Sequence, residues 1–399
     1  MTKETRMTLK RYYESAYIRE WTASIVEVEK RADGLYVRLD ETAFYPEGGG
    51  QPGDTGRIGE ARVLDTLTEK DEVLHKVDLS PGLVGDRVFC SLDWARRFDH
   101  MQQHSGQHLL SATCLDLLHA STLSFHLGDE YSTIDVDRTE WTADELDTVE
   151  YEVNRRILSS LPITSYTVSP EQAAALPLVK APSVEGEVRI VEIQGIEYNA
   201  CGGTHVASTG ELGLLKLLRA EKQKGHLRLT FKAGFRALQE FAAQTKVLAA
   251  LSAKLSTPKE GLEERVDKWI EEDRRKQTER HTLQQQLDEY VARELLEESG
   301  PHGRAAVRLF EQRTLKELQS LASLLTAQTA LPVLLGSRSE NKLVLAHSGQ
   351  ADFACGTRLR EILPEYGGRG GGSDRLAQAS FGSDQELTAC YERLLADFR

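Results

Sequence analysis

Apolar and polar residues alternate through "ASIVEVEKRADGLYVRLD" (residues 23–40), with "ADG" as a turn signal between two half-buried strands. "ARVLDTL", "EVLHKV" and "DRVFCSLD" repeat the alternation, separated by Gly, Pro and Asp. Short strands with frequent turns over residues 18–90 predict a small barrel or sandwich. The period changes in "WARRFDHMQQHSGQHLLSATCLDLLHA" (94–120), where Phe98, Met101, Leu109, Leu110, Ala112, Thr113, Leu117 and Leu118 recur at helical spacing. Residues 143–161 predict a second helix and "TVSPEQAAALP" a third, with "STLSFHLGDEYSTIDVD" as a hairpin between the first two. "EVRIVEIQGI" and "LGLLKLLRAEKQKGHLRLTFKAG" read as further strands, so residues 91–235 predict helices packed on an antiparallel sheet.

Residues 236–299 read as almost wholly helical, broken at "STPKEG", where Thr257, Pro258 and Glu260 suit an N-cap, a first-turn proline and a capping box. Leu262, Val266 and Trp269 begin a heptad seam that Leu283, Leu287 and Tyr290 resume, while Asp273, Lys276 and Arg280 interrupt it. Such an arm either associates with a partner helix or packs on its own chain. The last hundred residues hold a Thr314–Glu317 capping box on an amphipathic helix and two strands in "LPVLLGSRSENKLVLAHS". "YGGRGGGSDRLAQASFG" follows, read as a glycine-rich loop leading into a short helix.

The length of 399 residues allows two to four domains, at about 100–200 residues each. No run of about 18 apolar residues suggests a membrane span, and the N-terminal stretch lacks a secretory core, so a cytoplasmic protein is expected. Five cysteines at wide spacings, without C-x-x-C, favour reduced thiols or a metal ligand over disulfides. The net charge of −13 argues against non-specific polyanion binding. Residues 215–236 reverse that sign locally: Lys and Arg dominate, and Glu221 is the one acid. A solvated face and a nucleic-acid strip both remain open there.

Two segments carry candidate chemistry. His104 and His108 stand four apart in "HSGQH", on one helical face. Cys201 and His205 bracket "GGT", whose glycines let the backbone turn so that both side chains can reach one ion. Three imidazoles and a thiolate suit zinc, and a purely structural four-ligand site remains the alternative to a chemical one. The helix lacks the His-Glu-x-x-His carboxylate of a zinc peptidase. "FYPEGGGQPGDTG" (44–56) holds five glycines with Gln51, Asp54 and Thr55, and matches neither a Walker loop nor a dinucleotide fingerprint. Its bare glycines suit either a barrel turn or close approach to a ligand.

These residues resemble a known family. "HMQQHSGQHLL" with "NACGGTHVASTGELG" is similar to the paired zinc motifs of the alanyl-tRNA synthetase editing domain, and "FYPEGGGQPGDTG" to its glycine-rich motif. "SFHLGDEYSTID" resembles the freestanding AlaX editing proteins, and "GGRGGGSDRLAQA" the DHH-associated domain of the long AlaX form. The resemblance implies an α+β multidomain fold. Its parts would be a small β-barrel over 1–92, a zinc-binding editing domain of the threonyl/alanyl-tRNA synthetase additional-domain type over 93–236, a helical arm over 237–300 and an α/β DHH-associated domain over 301–399. It implies ATP-independent hydrolysis of Ser-tRNA(Ala), and of Gly-tRNA(Ala), in trans, with one zinc ion on His104, His108, Cys201 and His205. Gly48, Gly49, Gly50 and Gln51 would line the aminoacyl pocket, with Gln51 or Thr55 selecting the serine hydroxyl, because Glu47 stands where some AlaX proteins carry a threonine. Asp54, His126 and Asp135 are the general-base candidates. Arg96, Arg97, Arg219, Lys222, Lys224, Arg228, Lys232 and Arg369 are the expected tRNA contacts, and a homodimer through the arm or the last domain is expected as an option. No synthetase catalytic domain precedes the barrel, so no aminoacylation is expected. The alternative function is a zinc-containing tRNA-binding protein without catalysis. A DHH phosphoesterase lacks support, since "FDHMQQH" does not carry that family's metal motif, and a threonyl-type editor would be told apart by its tRNA.

Overall fold

The computed structural model describes residues 7–179, 186–300 and 303–398. The expected boundary at residue 301 lies outside them. Two compact units emerge, Met1–Leu251 and Ser252–Arg399.

The first unit opens with β1 (Leu9–Lys10), β2 (Glu20–Arg31), β3 (Gly34–Leu39), β4 (Glu41–Thr42), β5 (Gly56–Ile58), β6 (Ala61–Glu69), β7 (Glu72–Val77) and β8 (Arg87–Leu92). β1 pairs with β4 in parallel. The other six pair in the order β2-β3-β7-β6-β5-β8, and β8 pairs back onto β2, closing a barrel. Alternation explains the closure: Trp21, Ala23 and Ile25 of β2 point inward with Val37, Leu39, Ile58, Val63 and Cys90. Lys70 and Asp71 turn the β6–β7 hairpin with positive φ at both residues. His75 is sealed inside, bonded to Thr42 Oγ1 and to the Val37 carbonyl, and burial pushes its pKa down to about 4.

Then follow α1 (Trp94–Leu118), β9 (Thr122–Leu127), β10 (Ser132–Val136), α2 (Ala143–Leu158), β11 (Ile163–Val168), α3 (Pro170–Ala174), β12 (Val188–Ile193), β13 (Glu197–Ala200), β14 (Leu215–Gln223), β15 (His226–Ala233) and α4 (Gly234–Leu255). One antiparallel sheet has the order β14-β15-β10-β9 and another β11-β12-β13. α1 starts at Asp93, whose side chain accepts from the Arg96 amide, and stops where His119 turns left-handed. From His100 to Cys114 it is buried on every side. Polar residues on this helix therefore end up inside, where they need partners.

The second unit holds α5 (Leu262–Ser299), β16 (Ala306–Phe310), α6 (Leu315–Gln328), β17 (Val333–Ser337), β18 (Lys342–Ala346), α7 (Cys355–Ile362), β19 (Arg369–Gly372), β20 (Leu376–Ser380) and α8 (Asp384–Ala396). Its sheet runs β16-β17-β18-β20-β19. Val333, Leu335 and Val344 face α5 and α6, while Leu334, Leu343 and Leu345 face α7 and α8. Thr314 and Glu317 form the expected capping box of α6.

Two local expectations are corrected. "RLAQAS" is a strand, because Ala377 and Ala379 point inward in alternation with Gln378, a period of two that the alanines disguised. The break before α5 is capped by Gly261 without a side-chain bond, and Thr257 donates to the Leu255 carbonyl instead.

Candidate metal centre and aminoacyl pocket

α1 runs between the barrel and the β13 strand, and carries His104 and His108 on the face toward the loop after β13. That loop supplies Cys201 and His205. One ligand atom from each of the four residues lies within 4.8 Å of the others. Cys201 Sγ is 3.5 Å from His104 Nε2 and 3.4 Å from His205 Nε2. A tetrahedral zinc ion with ordinary Zn–S and Zn–N bonds separates its S and N ligands by about 3.6 Å. The donor set and its spacing therefore fit zinc.

The imidazoles are held from behind. His104 Nδ1 bonds Gln51 Oε1 at 2.9 Å, His108 Nδ1 bonds Glu197 Oε2 at 2.6 Å, and His205 Nδ1 bonds Ser105 Oγ at 3.0 Å. Gln51 also accepts from the Thr204 amide and donates to Thr204 Oγ1, so it ties the glycine motif of the barrel to the ligand loop. Arg189 clamps that loop by donating to the Cys201 and Gly203 carbonyls. A Cβ on Gly203 would sit 2.2 Å from His104 Cε1, so only glycine fits there. Burial alone would raise the Cys201 thiol, but the imidazoles of His104 and His205 outweigh it and bring its pKa well below the ordinary value. Burial and His104 push the His205 imidazole down to about 3.

Beside the cluster lies a cavity of about 330 Å³. Gly49, His104, His108, Glu197 and Cys201 line it together with Gln107, Ser111 and Thr122. Gln107 Nε2 and Thr122 Oγ1 both bond Ser111 Oγ, at 2.9 and 2.7 Å. The Phe125 ring stacks on His104, with centroids 5.5 Å apart.

Comparison with known proteins places this arrangement. The family described as "Threonyl and Alanyl tRNA synthetase second additional domain" matches residues 188–230, and "tRNA synthetases class II (A)" matches residues 6–96. The alanyl-tRNA editing protein AlaX-L of Pyrococcus horikoshii is 32% identical over 92% of this chain and 93% of its own length. The chain belongs to the alanyl-tRNA editing protein AlaX family. The editing protein Aarsd1 of Danio rerio is 36% identical over 60% of this chain and 58% of that protein. An alanine–tRNA ligase of Methanococcus maripaludis is 31% identical over 88% of this chain, which spans 40% of the ligase.

Several expected roles do not suit where this AlaX-family chain puts the residues. Gln51 is fully buried, its Oε1 is bonded to His104 Nδ1 and the Thr204 amide and its Nε2 donates to Thr204 Oγ1, and it does not line the cluster cavity. Thr55 lines a different cavity, with Trp94, Arg96 and Phe235. Of the glycines, Gly49 reaches the cluster cavity, Gly50 abuts Phe125, and Gly48 bridges to Gln51. Asp54 is spent on Arg97 in a buried ion pair that also uses the Ala16 and Ala43 carbonyls, so neither is a base or an RNA contact. Asp135 pairs with Arg228 and accepts from Ser124, which holds its pKa down to about 2, too low for a base near neutral pH. His126 is exposed and does not line the cavity.

The basic strip is largely neutralised. Lys222 pairs with Glu140, Arg228 with Asp135, Lys232 with Glu240 and Arg219, at 3.8 Å, with Glu221. Lys216 and Arg236 pair with Glu150 and Asp99. Most of these acids lie outside the strip, where the charge count along the chain does not see them. Arg96 donates to the Gly53 carbonyl, and Arg369 is exposed on β19. The sequence reading missed Glu197, Ser105, Thr204 and Arg189. Ser105 lies inside the quoted "HSGQH", and Glu197 stands four residues before Cys201, but no spacing rule marks either.

Proposed function

We propose that this chain is a trans-editing hydrolase that cleaves the aminoacyl ester of Ser-tRNA(Ala), with Gly-tRNA(Ala) as a second substrate. The observation that carries the reading is a cavity lined by three members of the three-His, one-Cys cluster, His104, His108 and Cys201, together with the hydroxyl and amide groups of Ser111, Thr122 and Gln107. His104, His108, Cys201 and His205 would hold one zinc ion. With four protein ligands the ion would have no open tetrahedral position, so it would hold the pocket together, or would act as a Lewis acid on the ester only by expanding to a fifth ligand.

The chain's own residues do the rest. The titratable groups lining the cavity, His104, His108, Cys201 and Glu197, all belong to the cluster or bond to it, so no separate general base stands in the pocket among the described residues. The ester is activated, and positioning contributes most of what remains. Gly49 leaves room for the aminoacyl group, and Phe125 walls off one side. Gln107, Ser111 and Thr122 are the groups placed to pair with a serine hydroxyl. A site whose buried polar groups need that hydroxyl discriminates by about 10⁴ or more.

Arg96, Arg219, Lys224 and Arg369 are our proposed phosphate contacts, and Lys224 has no ion pair among the described residues. tRNA affinity should fall steeply with salt. We read the second unit as a DHH-associated domain and α5 as a helical arm that pairs with a second copy, since Trp269, Leu283, Leu287 and Tyr290 are 50–67% exposed. Sedimentation of Leu283→Glu/Leu287→Glu beside the parent chain tests the pairing.

The test of function is deacylation of Ser-tRNA(Ala), with Ala-tRNA(Ala) beside it and Cys201→Ala as control. Loss of serine alone, abolished in the variant, supports the reading. No hydrolysis by the zinc-loaded chain would leave a binding protein.

A further inference from the structure

Each imidazole of the cluster is anchored at Nδ1 by a different side chain, and only one anchor carries charge. Gln51 and Ser105 are neutral, whereas Glu197 is a carboxylate, 4% exposed. Its bonds are to His108, at 2.6 Å, and to Asn199, at 3.4 Å. No Lys or Arg pairs with it among the described residues. A buried carboxylate is costly unless a compensating charge stands near. Two features point to where that charge belongs. Glu197 sits behind the ring, at the nitrogen facing away from the cluster centre. Cys201, across the centre, adds a thiolate when it binds a metal. Thiolate and carboxylate together would balance one divalent cation.

We infer that Glu197 is a positioning residue for the metal: it fixes His108 as an Nε2 ligand and supplies the charge that retains the ion. The inference rests on the zinc assignment proposed above but not on the substrate. Hydrogen bonds of this kind to metal-bound His typically carry about 10- to 100-fold in metal affinity.

The test is zinc affinity of the full chain, without tRNA, by competition with a chromophoric chelator. Glu197→Gln keeps an acceptor at Nδ1 and removes the charge, and we expect about 10- to 100-fold weaker zinc. Glu197→Asp keeps the charge one methylene further off and should recover part of the loss. Cobalt substitution adds a signature that general destabilisation would not give: a shifted tetrahedral visible spectrum at full occupancy. Imidazole ¹⁵N spectra of the unmutated zinc form guard against variants that fail to fold, and we expect His108 coordinated through Nε2 with a proton on Nδ1. Coordination through Nδ1 overturns the proposal. So does zinc affinity within twofold of the parent in Glu197→Gln, and if KM for Ser-tRNA(Ala) then rises, the carboxylate faces substrate instead. A parent chain that binds no zinc removes this inference together with the zinc assignment. Zinc binding without deacylation leaves the inference standing and removes only the enzymatic reading.

Discussion

The chain has two glycine-rich stretches, and they differ in what their neighbouring side chains do. Residues 48–56 fold inward: Gln51 and Asp54 are buried, one bonded to a ligand imidazole and the other to a buried arginine. Residues 369–372 form the edge strand β19, with Arg369 exposed. In the first stretch Gly53 and Gly56 press against other strands, a Cβ there lying 2.3 Å from the Thr66 carbonyl and 2.2 Å from that of Ser91, while the polar side chains of Gln51 and Asp54 reach across to α1. In the second the glycines let two backbones press together. A Cβ on Gly370 would lie 2.1 Å from the Gln378 carbonyl, and one on Gly372 2.3 Å from that of Leu376, while Gly371 meets nothing within 4 Å. A similar composition thus serves backbone packing in both units, and only in the first does it also frame a buried side-chain network.

Breaking the inward stretch should have the largest effect. Arg97→Ala leaves Asp54 charged and unpaired in the core, and the first unit should lose about 3–5 kcal/mol in urea unfolding. If that unit unfolds as before, the loop is not anchored as described. Gln51→Ala should keep the fold but weaken zinc by about 10- to 100-fold, since it frees His104 Nδ1 and the Thr204 amide together. Unchanged affinity with altered serine selectivity would return Gln51 to the substrate side. In the edge-strand stretch, Gly370→Ala should destabilise the second unit by about 1–3 kcal/mol through overpacking. Gly371→Ala should change it by less than about 0.5 kcal/mol, and equal costs at both positions would refute the backbone-contact explanation.

A smaller effect concerns pH. The Arg228 guanidinium holds Asp135 at about 2, below the ordinary carboxyl value of 3.8. A carboxylate with a lowered folded pKa stabilises above its unfolded pKa and loses that contribution as pH falls through the folded one. The contribution should therefore be complete above about pH 4 and fade toward pH 2. Asp135→Asn should flatten the acid limb of stability in that window and leave serine hydrolysis near neutral pH intact. A large loss of hydrolysis would restore Asp135 as a catalytic candidate. Thr55→Val, remote from the cluster cavity, should shift neither zinc affinity nor selectivity.

The four residues of the candidate metal cluster were legible because metal ligation needs particular atoms, and few residue types carry them. His-x-x-x-His on a helix and Cys-x-x-x-His across two glycines narrow the geometry further. The roles of Gln51, Asp54 and Arg97 were not legible. All three are polar, and polarity along a chain reads as exposure until a partner from another element is found. The same limit governs the basic strip, whose neutralising acids Glu140, Asp135 and Glu240 mostly come from other elements.

By itself the sequence determined the alternating strands, the long α1, the capped start of α6, and the residue types able to bind a metal. All of these depend on neighbours within a few positions, where spacing alone decides which side chains share a face. Tertiary structure decided which polar groups are spent. Arg97 finds Asp54 from 43 positions away, His104 finds Gln51 from 53 and His108 finds Glu197 from 89. Burial turns each of these pairings into a necessity, because an unpartnered polar group inside costs more than the bond returns. No local pattern records which partner will be near.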